Sequence, residues 1–244
     1  MRITERLQRS GYDLPTAERA LRALVRNPDD LPQVFTIIDA LSGSTPDRLI
    51  ARLRSTPGGN ELLEQSDELM LLLSDREKLR ALPEGSLGRA YLAFVEAEGI
   101  SAEGIFEASV EGRLDIEFSA DDERLRILLR DSHDLWHVVT GYHGDLIGEL
   151  ALLSFSAAQT LNPAVIAIVL VGVAKGFARG NLRLVLDAFF RGRSSEWLPA
   201  VNWKTKLRLP LDEVRTELKV GAPRSYLPVR SEELRQTGVL ARAA

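Results

Sequence analysis

All three histidines of this 244-residue chain, His133, His137 and His143, fall within one short stretch, RDSHDLWHVVTGYHGDLIGELALL. On an α-helix successive residues turn by about 100°, so His133 and His137 lie about 40° apart and Asp134 about 100° from His133. Imidazoles one turn apart can converge on a single ion, which is how helices grip a transition metal. Glu149 is a fourth candidate donor. On a continuous helix it would sit about 18 Å along the axis from His137, so it can join the others only if the chain turns back. Gly141 and Gly144 mark a break, and a second helix starting near Asp145 would return Glu149 past His137. Two imidazoles and two carboxylates, from His133, Asp134, His137 and Glu149, suit one divalent metal ion. That ion is Zn²⁺, or Fe²⁺, Mn²⁺ or Co²⁺ where redox chemistry is required, with solvent or substrate completing the shell.

These residue types also have plainer uses. A His-x-x-x-His pair can be a polar helix face, Asp134 a salt-bridge partner and Glu149 a surface residue of a helix. Other metal signatures fit less well. A zincin carries Glu after its first histidine, where this chain has the shorter Asp134. An HD-type phosphohydrolase needs a histidine further upstream, and a di-iron bundle needs paired Glu-x-x-His motifs. Neither is present. His143, in the expected turn, reads as a neighbour of the site or an exposed residue rather than a ligand.

The elements that must position these groups read as helices. Val34, Ile37, Ile38 and Leu41 recur at helical spacing after Asp29 and Asp30 and before Gly43. Leu87, Tyr91, Phe94 and Val95 repeat the pattern between Pro83–Gly85 and Gly99. Further helical patterns run over about 15–26, 46–54, 122–139, 145–160, 164–190 with interruptions, and 211–219. Leu114, Ile116 and Phe118 alternate with polar residues as a strand would, but no second strand pairs with them, so an extended connector is expected. No repeat and no Gly/Ser-rich or Pro-rich linker divides the chain. The expectation is an all-α, single-domain multi-helix bundle over 1–244, with a metal site between two antiparallel helices and a peripheral tail at 228–244.

Composition narrows the partners. The formal net charge of −4 is too mild for a protein that coats nucleic acid, so no nucleic-acid partner is expected. The absence of cysteine removes disulfides, iron–sulfur clusters and thiol nucleophiles. Residues 96–125 carry a local balance of −8 and residues 161–210 one of +6. The basic half also holds the apolar run Ala164 to Ala174, with Phe189, Phe190, Trp197 and Trp203. That mixture suits an anionic membrane surface or an acidic head group on an apolar tail, and equally a buried core helix with a solvated basic flank. The run is too short to cross a bilayer, which takes about 20 residues. The N-terminal stretch lacks the apolar core of a secretory signal, so a mature cytosolic chain is expected. For assembly, a homodimer is the default expectation.

At these residues the chain resembles the coenzyme Q (ubiquinone) biosynthesis protein family four. His133-Asp134-x-x-His137, then 11 residues, then Glu149 reproduces the family's metal motif in full spacing. Ser86-Leu87-Gly88 with Tyr91 and Phe94, Gly141-Tyr142, Leu146-x-Gly148-Glu149 and the Trp197 to Trp203 segment extend the resemblance over roughly residues 15–220. The resemblance implies a helical protein, peripheral to the inner face of the quinone-making membrane, that supports the other ubiquinone-biosynthesis enzymes. It implies binding of a polyprenylated quinone precursor or isoprenoid lipid in an apolar groove, which the 145–178 region would supply. Lys175 and Arg179, placed one helical turn apart, would face lipid head groups. It also implies an activity, oxidative decarboxylation with hydroxylation at C1 of a polyprenyl hydroxybenzoate, with a non-catalytic lipid-binding scaffold as the alternative. No catalytic residue beyond the metal ligands is assigned.

Overall fold

The computed structural model describes residues 11–222 and 225–230. Among them lie fourteen α-helices: α1 (Leu14–Arg26), α2 (Leu31–Leu41), α3 (Thr45–Arg54), α4 (Gly59–Glu64), α5 (Glu68–Ser74), α6 (Arg76–Arg80), α7 (Leu87–Glu98), α8 (Ala102–Glu111), α9 (Ala120–Thr140), α10 (Leu146–Thr160), α11 (Pro163–Ala174), α12 (Leu182–Ser194), α13 (Trp203–Lys206) and α14 (Leu211–Glu217). A 3₁₀ turn, Leu198–Ala200, precedes α13. No strand occurs among the described residues; Ser86 and Pro210 form one isolated bridge.

Side-chain caps set where the principal helices begin, because the first N–H groups of a helix have no partner within it. Asp13 accepts from Thr16 N to open α1, and Ser86 accepts from Arg89 N to open α7. Ser119 and Asp122 form a reciprocal capping box at the start of α9. Asn162 accepts from Ala164 N, with Pro163 at the first helical position of α11.

Helix α10 is the centre of the packing. It lies against α12 on one side and α11 on another, while α1 and α2 form a hairpin that packs on α8 and α11. Helix α9 is surrounded by α3, α4, α5, α7, α8 and α14. The largest core joins Tyr91 of α7, Leu135 of α9, Leu152 and Phe155 of α10, Leu184 of α12 and Trp203 of α13. Truncating a side chain as enclosed as Leu152 to alanine costs about 2–5 kcal/mol. A second tie is electrostatic. The buried carboxylate of Asp39 on α2 accepts from the Arg126 guanidinium on α9 and, through Oδ2, from Leu114 N at 3.0 Å.

The strand-like residues 114–118 run as a connector between α8 and α9. Their alternation has another cause. Leu114 packs with the α1–α2–α11 cluster, and Phe118 sits beneath the guanidinium groups of Arg113 and Arg126, at 4.9 and 4.4 Å. The helical pattern over 164–190 breaks at 175–181, between α11 and α12. Lys175 and Arg179 are exposed in that break rather than one turn apart on a helix, because Gly176 takes a left-handed φ of 84° that ends the helical path. Of the tail expected to be peripheral, residues 228–230 run against the turn between α9 and α10, while 231–244 lie outside the described residues.

Candidate metal centre

Helix α9 ends at Gly141, whose left-handed φ of 76° closes the helix with an N–H bond to His137 O. The other terminal carbonyls are taken by two arginines from distant helices. Arg215 donates to Val138 O and Val139 O at 3.0 and 3.1 Å, and Arg191 donates to Thr140 O at 2.9 Å. Five residues later α10 begins under the Asp145 cap. The chain therefore reverses tightly, and the last turns of α9 meet the first turn of α10.

That reversal brings His133, His137 and Glu149 together, with one ligand atom from each lying within 4.8 Å of the others. Glu149 Oε1 is 3.0 Å from His137 Nε2, and Oε2 is 4.0 Å from His133 Nε2. The His137 ring is buried, stacked on Phe94 at 5.2 Å between centroids, and its Nδ1 is 3.0 Å from the Tyr142 carbonyl. With Nδ1–H given to that carbonyl, Nε2 carries the free lone pair. Nε2 is nonetheless buried without a directed hydrogen bond: the Glu149 oxygen is close enough for an ion pair but off the ring's donor direction. A buried nitrogen left in this state calls for an explanation, and a cation shared by the three donors supplies one. The donor set, two imidazoles and a carboxylate with one open side, fits a divalent transition metal.

The electrostatics of the metal-free pair follow from the same contacts. Burial alone would raise the Glu149 carboxyl, but the close approach of His137, with His133 beyond it, outweighs burial and holds Glu149 at about 2. Burial alone would lower His137, yet Glu149, Asp134 and the Tyr142 carbonyl together raise it. Without a metal, the contact favours the charged form of both partners.

Asp134 does not join the triad. Its buried carboxylate lies 3.4 Å from His133 Nδ1, so it sits behind the ring where it can orient it. His143 is exposed and stands 5.9 Å from the Tyr226 ring, outside the donor group as expected. Motif spacing pointed to none of Arg191, Arg215 and Tyr226, whose contacts hold this turn; each lies at least 42 positions beyond Glu149 in the sequence.

The family model described as "Coenzyme Q (ubiquinone) biosynthesis protein Coq4" matches residues 13–224. A mitochondrial ubiquinone biosynthesis protein COQ4 homologue from Danio rerio is 28% identical over 235 residues, covering 89% of this chain and 82% of the relative. The corresponding protein of Bos taurus is 30% identical over 190 residues, covering 75% and 67%. A crystal structure of a Nostoc punctiforme protein superposes with a TM-score of 0.63 at 21% identity, covering 86% of this chain and all of that one, and so shares the fold. With the family model spanning nearly every described residue, from the cap of α1 to beyond α14, the chain belongs to the coenzyme Q (ubiquinone) biosynthesis protein Coq4 family.

Proposed function

We propose that this protein is a metal-dependent member of its family that holds the ring of a polyprenylated quinone precursor at His133, His137 and Glu149. The observation that carries this is the buried His137 Nε2, which has no directed partner although two further donors converge on it. Tyr142 and Phe94 hold the His137 ring, Asp134 orients His133, and Glu149 offers negative charge to the cation. A divalent metal bound there would supply Lewis acidity and a template for the ring carboxylate and phenolate oxygens.

Replacing a ring carboxylate by hydroxyl releases CO₂ and removes two electrons from the substrate. Zinc cannot take them. An oxidative C1 decarboxylation therefore requires an external two-electron oxidant such as dioxygen, with water or that oxidant supplying the hydroxyl oxygen, and Fe, Mn or Co in place of zinc if the metal itself relays the electrons. The protein's part is to desolvate the ring and keep its carboxylate beside the donor triad.

A scaffold that binds isoprenoid lipid and organises quinone enzymes is favoured by a separate observation. An open groove of about 630 Å³ runs between α1 and the end of α11, with Leu14, Leu21, Val25, Leu41 and Val171 along it and the charged Glu18, Arg22, Arg26 and Lys175 on its walls. Turnover separates the two roles: conversion of a polyprenyl hydroxybenzoate by metal-loaded protein identifies an enzyme, and tight lipid binding without product identifies a scaffold.

Contact with a membrane surface is the third part of the proposal. No helix among the described residues is long and apolar enough to cross a membrane. Helix α12 instead presents Leu182, Leu186 and Phe190, exposed by 48, 52 and 67%, at i, i+4 and i+8. Arg183 and Arg193 lie on that same side of the helix, and its opposite side, Leu184, Val185, Ala188 and Gly192, is buried. An apolar stripe edged by cations fits an anionic lipid surface better than bulk water. Lys175 and Arg179 would add to it from the adjoining break.

The decisive experiment is metal analysis of purified wild-type protein and of His137→Ala. About one divalent ion per chain in the wild type and little in the variant is expected. Metal-free wild type that neither takes up Zn²⁺, Co²⁺ or Fe²⁺ nor gains stability from them would remove the basis for the site.

A further inference from the structure

We infer that the segment 225–230 is a clamp that positions Glu149 toward the histidines, with Tyr226 as its positioning residue. This rests on the metal site proposed above. The clamp acts on the turn from which α10 starts, not on the donor atoms themselves.

The clamp is built from contacts along the whole reversal. The Tyr226 hydroxyl accepts from His143 N at 2.9 Å and donates to Asp145 Oδ2 at 3.0 Å. Val229 N donates to Asp145 Oδ1 at 2.9 Å, and Val229 O accepts from Leu146 N at 3.1 Å. Arg230 stands 3.5 Å from Glu98 Oε2, whose other oxygen accepts from Gly144 N at 3.3 Å. Backbone groups of the turn at 143, 144 and 146 are thus held by the clamp or by its partner Glu98. A turn that leaves such groups to water is free to open; this one is tied at three successive points.

The link to the site is one helical turn long. Asp145 caps α10 through Ile147 N at 3.0 Å, and its carbonyl accepts from Glu149 N at 2.8 Å. The side chain that the clamp grips therefore belongs to the residue that starts the turn ending at Glu149. Gly148 records the same closeness. A Cβ there would lie 2.6 Å from the Tyr226 hydroxyl and 2.0 Å from His143 O, so only glycine fits beneath the phenol. This accounts for glycine beside the acidic ligand in Leu146-x-Gly148-Glu149. Packing on α11 and α12 fixes the body of α10, while α9 and α10 themselves share few close backbone approaches, so the tied turn sets how the first turn of α10, with Glu149, meets His137.

The test titrates Co²⁺ into metal-free wild type, Tyr226→Phe, Tyr226→Ala and Ser154→Ala, following the visible absorption of the bound ion, and measures amide exchange at Leu146 in each metal-free protein. Tyr226→Phe keeps the ring and removes both hydroxyl bonds. It should weaken Co²⁺ binding about tenfold, as loss of an outer-sphere support does, and speed exchange at Leu146. Tyr226→Ala should weaken binding at least as much. Ser154→Ala removes a buried bond of α10 to Val185 O, at 2.7 Å, well away from the turn. It should lower stability without changing Co²⁺ affinity or spectrum. Wild-type affinity, spectrum and Leu146 exchange in both Tyr226 variants overturn the clamp. Equal weakening in Ser154→Ala also overturns it, because the effect would then be general destabilisation. If wild type binds no Co²⁺, the metal proposal fails and the clamp is decided by the metal-free proteins. Faster Leu146 exchange together with a changed His137 ring resonance in Tyr226→Phe upholds it, and neither change overturns it.

Discussion

Glu149→Gln deletes one charge at the centre of the site and keeps the volume of the side chain. In the metal-free protein the Glu149 carboxyl is held at about 2, against 4.5 when unperturbed. Taken alone that difference is worth about 3 kcal/mol. The side chain is 38% exposed, however, and solvent screening reduces the expected contribution to about 1–2 kcal/mol. The sign of the pH dependence follows from both partners. The lowered carboxyl contributes above its unfolded value of 4.5, and the contribution is lost as pH falls toward 2. The raised His137 contributes fully below its unfolded value of 6.5, and the contribution is lost as pH climbs through its folded value. The pair therefore stabilises most between about pH 4.5 and 6.5. For a chain of this length, the metal-free variant should melt about 2–8 °C below wild type at pH 5.5, and the gap should narrow as pH climbs above 6.5 through the raised folded value of His137. Metal reverses the trend, because the cation needs neutral His137 and must displace its proton. Zinc should thus raise the wild-type melting temperature more at pH 7.5 than at 5.5, and raise that of Glu149→Gln less at either. Thermal melts of chelator-treated and zinc-loaded proteins measure all of this. A loss that does not shrink as pH rises above 6.5, or equal zinc stabilisation of both proteins, would refute the pairing and its role in metal binding.

Asp39→Ala leaves the Arg126 guanidinium, 21% exposed, and the Leu114 N–H without their buried acceptor, and should cost about 3 kcal/mol in urea unfolding. A loss under about 1 kcal/mol would show that water replaces the carboxylate readily. For the α12 face, Leu186→Asp with Phe190→Asp should abolish flotation with phosphatidylglycerol vesicles, and Arg183→Ala should weaken flotation and leave the remaining binding less salt-dependent. Undiminished flotation of the double variant would return the membrane contact to another surface. Lys175→Ala with Arg179→Ala should weaken flotation by a smaller amount, since these residues lie in the break beside the stripe.

The helices around the site were legible because their signals are local. Asp145 before Leu146 and Gly141 after Thr140 are a start and a stop that a few neighbouring residues determine among themselves. Apolar periodicity found α1, α2, α7, α9 and α10 within a residue or two, whereas α4, α5, α6, α8 and α13 did not stand out. Four of these five are shorter than eight residues, too few to establish a period, and their helicity depends on packing. The same limit explains the region after α11, where periodicity continued past Ala174 but the backbone did not, so Lys175 and Arg179 lost their common face.

For the metal centre, the order of residue types along the chain was enough to nominate His133, His137 and Glu149. Helical geometry makes the first two neighbours, and two glycines permit the third to return. That geometry could not separate Asp134 from the donors, since about 100° on a helix wheel faces either a ligand or a neighbouring helix. Packing decided it, by burying the carboxylate behind His133. Which distant groups hold the reversal was likewise beyond reach of spacing. Arg191, Arg215 and Tyr226 meet the turn only because α12, α14 and the segment after them fold back onto it. Contacts between residues far apart in the chain leave no period or motif, so the identity of the candidate donors belongs to the sequence and the precision of their meeting to the tertiary fold.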